Sequence, residues 1–182
     1  MTKLIDTAQS RYRELLESSR SVQLATVGTD GRPDASYAPV LIDASRRLHV
    51  YVSELSRHTA NLLETGAASA MLIEDEGTAQ QLFARRRVTF QCLAREIERG
   101  SGAWRQKLDQ FESAFGEIMA GLRQLEDFHL IELIPQSGRL VVGFGQAFEL
   151  SGEKMDELQH LGGGGQGHRR GHRKEKPAPT DS

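Results

Sequence analysis

Leu4, Ala8, Tyr12, Leu15 and Leu16 recur at the three-to-four-residue spacing of one helix face, so residues 2–19 read as an amphipathic helix. After that helix the apolar period falls to two. QLATV (23–27) and ASYAPVLI (35–42) flank Gly28-Thr29-Asp30-Gly31-Arg32-Pro33, whose residue types favour reversal, and together they predict a hairpin. In LHVYVS (48–53), Leu48, Val50 and Val52 alternate with His49, Tyr51 and Ser53, which puts His49 on a partly exposed strand face. Ser56 stands where a cap belongs for the short helix RHTANLLETG, which Gly66 should end. ASAMLIED (68–75) is an almost unbroken apolar run, as in an interior strand. In RRVTFQCLAREI, Val88, Phe90, Cys92 and Ala94 share one face.

Residues 102–125 carry Trp104, Leu108, Phe111, Phe115, Ile118, Met119 and Leu122 at helical spacing. FHLIELIP and GRLVVGFGQAFEL read as a second hairpin turning at Gln136-Ser137-Gly138. Gly143 and Gly145, inside its second arm, suggest a bulge or a close backbone approach. Six or seven strands, mostly joined by tight turns, predict a mainly β chain: an antiparallel barrel with flanking helices. No βαβ alternation and no Gly-x-Gly-x-x-Gly occurs, which argues against a doubly wound dinucleotide fold. The composition changes only after Leu161, so residues 1–161 are expected to form one domain and residues 162–182 a Gly/His/basic tail.

A net charge of −2 over 182 residues argues against general nucleic-acid binding, and the basic tail is a local patch. The single cysteine, Cys92, excludes an internal disulfide framework. With no signal-like or membrane-length apolar run, the chain is expected to be soluble and cytoplasmic.

No Ser-His-Asp elbow, P-loop, His-Glu-x-x-His or Cys-x-x-Cys is present, so the six histidines are the main chemical resource. His129, like His49, lies in an alternating strand, and His160 reads as an exposed helix-end residue. His58 opens a helix after a strand, a place for capping or for a site. His168 and His172 lie four apart in the tail. Arg85, Arg86 and Arg87 enter a strand, either as a solvated end or as an anion site built from guanidinium forks. Asp127 joins a helix to the next strand, and could serve as a carboxylate acceptor for a histidine N–H.

LATVGTDGRPDASYAPVLI, YVSELSRHTANLLE, MLIEDE, QLFARRRVTF, FGEIMAGLRQLEDFHLIEL and VVGFGQAFELSG, in this order and spacing, closely resemble the HutZ/HugZ haem-utilisation proteins. That family lies within the pyridoxamine-phosphate-oxidase-like, FMN-binding split-barrel group. The resemblance implies an antiparallel split β-barrel, a homodimer, and haem as ligand and substrate, degraded oxidatively with release of iron. A non-catalytic haem carrier or store of the same fold is one alternative, and an FMN-dependent oxidoreductase of the pyridoxamine phosphate oxidase type is another. A haem-delivery protein is a further candidate partner, and the electron donor is left open. The resemblance also makes a tail histidine the haem-iron ligand, with His172 and His168 as alternatives. Gly171-His172-Arg173-Lys174 matches the family ending more fully than Gly167-His168-Arg169-Arg170 does. It makes Asp127 the acceptor of the ligating imidazole's second N–H, and places His58 and Arg87 in the haem site. An imidazole so paired is fixed in tautomer and made more electron-rich.

Overall fold

The computed structural model describes residues 2–161. The tail assignments, including His168 and His172, lie outside the described residues. Helix α1 (Thr2–Ser18) leads into β1 (Ser21–Val27), β2 (Pro33–Pro39), β3 (Leu41–Ile42) and β4 (Leu48–Ser53). Helix α2 (Arg57–Thr65) and β5 (Ala67–Ile73) follow, then two single 3-10 turns and β6 (Arg87–Glu96). Helices α3 (Gly102–Phe115) and α4 (Ile118–Leu122) precede β7 (Phe128–Gly143), β8 (Gln146–Ser151) and β9 (Glu157–His160). All pairings are antiparallel, in the order β2-β1-β5-β6-β7-β4-β3, with β8 on β7 and β9 on β8. The nine strands form the curled half-barrel expected of a split barrel.

The long strand β7 organises the sheet. β6 covers one edge, while the other is shared between β4, against Phe128–Leu133, and β8, against Gly138–Gly143. Inward residues, among them Val22, Leu24, Leu72, Val88, Phe90, Leu140 and Phe148, form the main core, and α1 closes it with Ala8, Tyr12, Leu15 and Leu16. A second cluster of Trp104, Leu108, Phe111 and Met119 lies on the outer face of β4 and β7, against Tyr51 and Leu130.

The second cluster corrects one expectation. Because α3 covers its outer face, β4 is buried on both faces from Leu48 to Val52, and His49 is 3 % exposed rather than partly solvated. The helical pattern over 102–125 is interrupted at Gly116, where φ is +81° and one helix becomes two. The hairpin predicted at Gln136-Ser137-Gly138 is absent: β7 runs through, with Gln136 as the extra residue where the register with Gln91 and Cys92 shifts. The turn falls instead at Gly143–Gln146, using Gly145 at φ +64°. His160 ends a strand, not a helix, with Nε2 within 3.0 Å of the Gly145 carbonyl. The first hairpin forms as predicted around Gly31, at φ +75°. Ser56 precedes α2 without a side-chain cap bond, whereas Gly66 ends it in the left-handed region.

Candidate functional site

Asp127 stands just before β7, beside the last residue of β4. Ser53 pairs with Phe128, and its hydroxyl donates to Asp127 Oδ2 at 2.7 Å. The Asp127 carbonyl accepts the Glu54 N–H at 2.9 Å. Among the described residues nothing donates to Oδ1, so the carboxylate keeps one oxygen for an incoming N–H. Arg99 secures the approach to β7, donating to the carbonyls of Leu125 at 2.6 Å and Phe128 at 2.8 Å.

His129, two residues on, is not an ordinary strand residue. Its Nδ1 lies 2.6 Å from Glu96 Oε1 and its Nε2 2.9 Å from Glu54 Oε1. Partial burial works against its charge, but the bonds to Glu96 and Glu54 outweigh that and raise its pKa. A protonated ring can donate to both carboxylates at once.

His58 lies in the first turn of α2 and is 5 % exposed, and among the described residues its Nε2 has no partner. Burial lowers its pKa, partly opposed by Asp34, so the ring is neutral and able to accept or donate one hydrogen bond. Of the arginine run, Arg85 donates to the Glu74 carbonyl and pairs with Glu76, while Arg86 is held by Glu74 and Glu14. Arg87 makes one backbone contact, to the Arg85 carbonyl, and lines an open cavity of about 740 Å³ with Arg139, Gln91 and Gln136. Among the described residues Arg87 has no carboxylate partner and is the arginine of this run placed to meet a ligand anion, whereas Arg139 across the cavity lies 3.8 Å from Glu149.

One chain does not bring these residues together. Arg87 pairs with Val141 at one end of β6, whereas Glu96 pairs with Ile131 at the other, and Asp127 lies beyond it. Ten residues of strand set these ends about 30 Å apart. His58 belongs to the Asp127 end, because α2 starts from the turn that follows Ser53. The described chain leaves at the Arg87 end: Leu161 N–H donates to the Ala147 carbonyl, and Ala147 pairs with Val141.

Sequence reasoning missed Ser53 and the His129 bridge, whose partners are 74, 75 and 33 residues away. It also missed a buried polar cluster under α3. Glu132, 5 % exposed, accepts from Arg47 at 2.9 Å and from Arg95 at 2.5 Å. Burial opposes its charge, yet the two guanidiniums hold its pKa below the ordinary range. Neighbouring His49 is pushed down to about 4 by burial and by the Lys107 ammonium. The cluster lines a separate cavity of about 400 Å³. Cys92, buried and pushed up to about 12, is no nucleophile.

Comparison with known proteins agrees with this architecture. Residues 8–142 match the pyridoxamine 5'-phosphate oxidase family. Heme oxygenase HutZ of Vibrio cholerae serotype O1 is 43% identical over 162 residues, covering 89% of this chain and 90% of HutZ. A crystal structure of V. cholerae HutZ, described there as the heme storage protein, superposes with a TM-score of 0.70 at 41% identity, over 74% of this chain and 96% of that one. Campylobacter jejuni ChuZ gives a TM-score of 0.78 at 30% identity, over 90% of this chain and 66% of its own. The chain therefore belongs to the pyridoxamine 5'-phosphate oxidase family, within its HutZ/HugZ branch.

Proposed function

We propose that this protein binds haem at sites shared between two copies of the chain and degrades it oxidatively, releasing iron in the cytoplasm. The observation that carries the reading is Asp127: a carboxylate pinned by Ser53 on one oxygen and open on the other, in a chain 43% identical to a heme oxygenase. Its free Oδ1 accepts the second N–H of an imidazole whose other nitrogen binds the haem iron. That bond fixes the ring's tautomer and strengthens it as a ligand.

His168 and His172 are the candidate ligands, and the fold limits how they can serve. Both follow a chain that leaves at the Arg87 end, away from Asp127. His168 comes seven residues after Leu161 and reaches about 25 Å at full extension, while His172, eleven residues on, reaches about 39 Å. Within one chain His168 would therefore need its whole segment extended to approach Asp127, and His172 most of it. A homodimer that sets the Arg87 end of one chain against the Asp127 end of the other removes the difficulty. In that arrangement the imidazole comes from one chain and its carboxylate partner from the second.

Arg87, whose guanidinium makes a single backbone bond among the described residues, supplies a fork for a propionate. His58, neutral and buried, lies at the Asp127 end of the sheet and adds no charge there. Haem supplies the redox chemistry and the carbon that is oxidised, so the chain's part is to bind, orient and hold charge. The flavin alternative is weakened by Arg85 and Arg86, which are already taken by carboxylates.

Haem storage without turnover is favoured by one fact only, the description given with the HutZ crystal structure. The two readings separate when the haem-loaded protein is given ascorbate in air with a ferrous chelator present. Loss of the Soret band with about one chelated iron per haem supports degradation. A Soret band that survives, with no iron captured, leaves storage.

A further inference from the structure

We propose that Ser53 is a positioning residue for Asp127, and that the His129 bridge holds the turn from which Ser53 acts. The inference rests on the reading above only for what Asp127 does.

Three bonds define the arrangement. The Ser53 hydroxyl accepts the Leu55 N–H at 3.1 Å and lies 2.7 Å from Asp127 Oδ2. A hydroxyl has one proton, and a carboxylate at pH 7 can only accept, so that proton points at Asp127. The next residue holds the backbone of the same aspartate, through Glu54 N–H to the Asp127 carbonyl. Consecutive residues therefore fix both the main chain and the side chain of Asp127.

The turn itself is fastened by three bonds. The Ser53 carbonyl accepts from Thr59 Oγ1 at 2.6 Å and from the Ser56 N–H at 3.1 Å, tying it to α2. The Glu54 carboxylate meets His129 Nε2, and the ring's other nitrogen meets Glu96 on β6. The His129 imidazole thus links the β4 turn to the neighbouring strands. Asp127 itself sits at a junction between a short helix and a strand, where the chain alone would leave its side chain several rotamers.

Ser53 has two consequences for the carboxylate. It selects the rotamer that presents Oδ1, and it draws charge toward Oδ2, making Oδ1 a weaker acceptor than a free carboxylate oxygen. The strength of the bond offered to an imidazole is therefore set by Ser53 as well as by Asp127.

The test has a haem-free arm and a haem-bound arm. In the haem-free protein, NMR scalar couplings should report one χ1 rotamer for Asp127 in the wild type and in Ser53→Thr. Averaged couplings are expected in Ser53→Ala, and intermediate ones in His129→Gln. A single unchanged rotamer in Ser53→Ala overturns the proposal whether or not haem binds. In the haem-bound arm, Ser53→Ala should shift the iron–histidine stretching band of the reduced complex and slow degradation about tenfold, while Ser53→Thr restores both. In an Asp127→Asn background the Ser53→Ala effect should vanish, because the two act as one unit. A full tenfold loss in that background shows independent action and rejects the proposal. A wild-type protein with no haem spectrum rejects the functional reading, and leaves the rotamer result to decide the role of Ser53.

Discussion

Mixed dimers test the shared site most sharply. One partner carries Asp127→Asn, the other His168→Ala with His172→Ala, and the chains bear different tags so that only mixed dimers are purified. Each parent homodimer should degrade haem at least about 10–100-fold more slowly than wild type, the usual loss when a metal ligand's hydrogen-bond partner is removed. The separation of the two groups within one chain then sets the outcome. Asp127 and the exit at Leu161 lie at opposite ends of a sheet about 30 Å long. If each site takes its imidazole from one chain and its carboxylate from the other, a mixed dimer has one site with both lesions and one with neither. Its activity should be about half that of wild type in a two-fold symmetric assembly. If both groups come from one chain, each site carries one lesion and activity stays at the parental level. Ascorbate-driven bleaching at 1:1 haem measures this directly, with sedimentation confirming the dimer. Parental activity in verified mixed dimers refutes the reach argument.

Other expectations follow from the same geometry. Asp127→Asn should keep haem affinity within about tenfold, since the amide preserves shape, but lower degradation about 10–100-fold, read from paired titration and bleaching. Glu132→Gln should cost about 2 kcal/mol in urea unfolding at pH 7. That is below the roughly 3–5 kcal/mol for breaking a fully buried pair, because Arg47 and Arg95 are 42% and 64% exposed and can rehydrate. With its folded pKa depressed, Glu132 contributes above its unfolded value near 4.5, and the difference from Glu132→Gln should fade as pH drops through the lower folded value. His129 has the opposite sign: its pKa is raised, so its contribution is complete below about pH 6.5 and is lost as pH rises through the folded value. Wild type and His129→Gln should therefore converge in stability on the alkaline side, as thermal melts at stepped pH would show.

Much of the barrel was legible because its inner face is plain in the pattern. Val88, Phe90 and Cys92 alternate, and all three point into the core. The errors came where a residue answers to a neighbour distant in sequence. Gly138 suggested a turn, yet it is a packing glycine. A Cβ there would meet Phe90 Cδ1 at 3.0 Å and Leu150 Cβ at 3.1 Å, so glycine lets β7 pass between its partners. His49 suggested a half-solvated face, because α3, which covers it, lies more than fifty residues later. Asp127, His58 and Arg87 could be singled out by resemblance, since motif order survives in sequence. The bond from Ser53 could not, because a serine at a strand end has no pattern that points across 74 residues.

Haem, held through a tail histidine, is the ligand proposed for this fold in preference to flavin. Titration of the purified full chain with haemin, followed in the Soret region beside a parallel titration with FMN, tests it most directly. Saturation is expected at one haemin per chain, with no retention of FMN through gel filtration and a Soret band lost or strongly displaced when His168 and His172 are both alanine. An unchanged Soret spectrum in that double variant, or stoichiometric FMN binding without haemin binding, contradicts it.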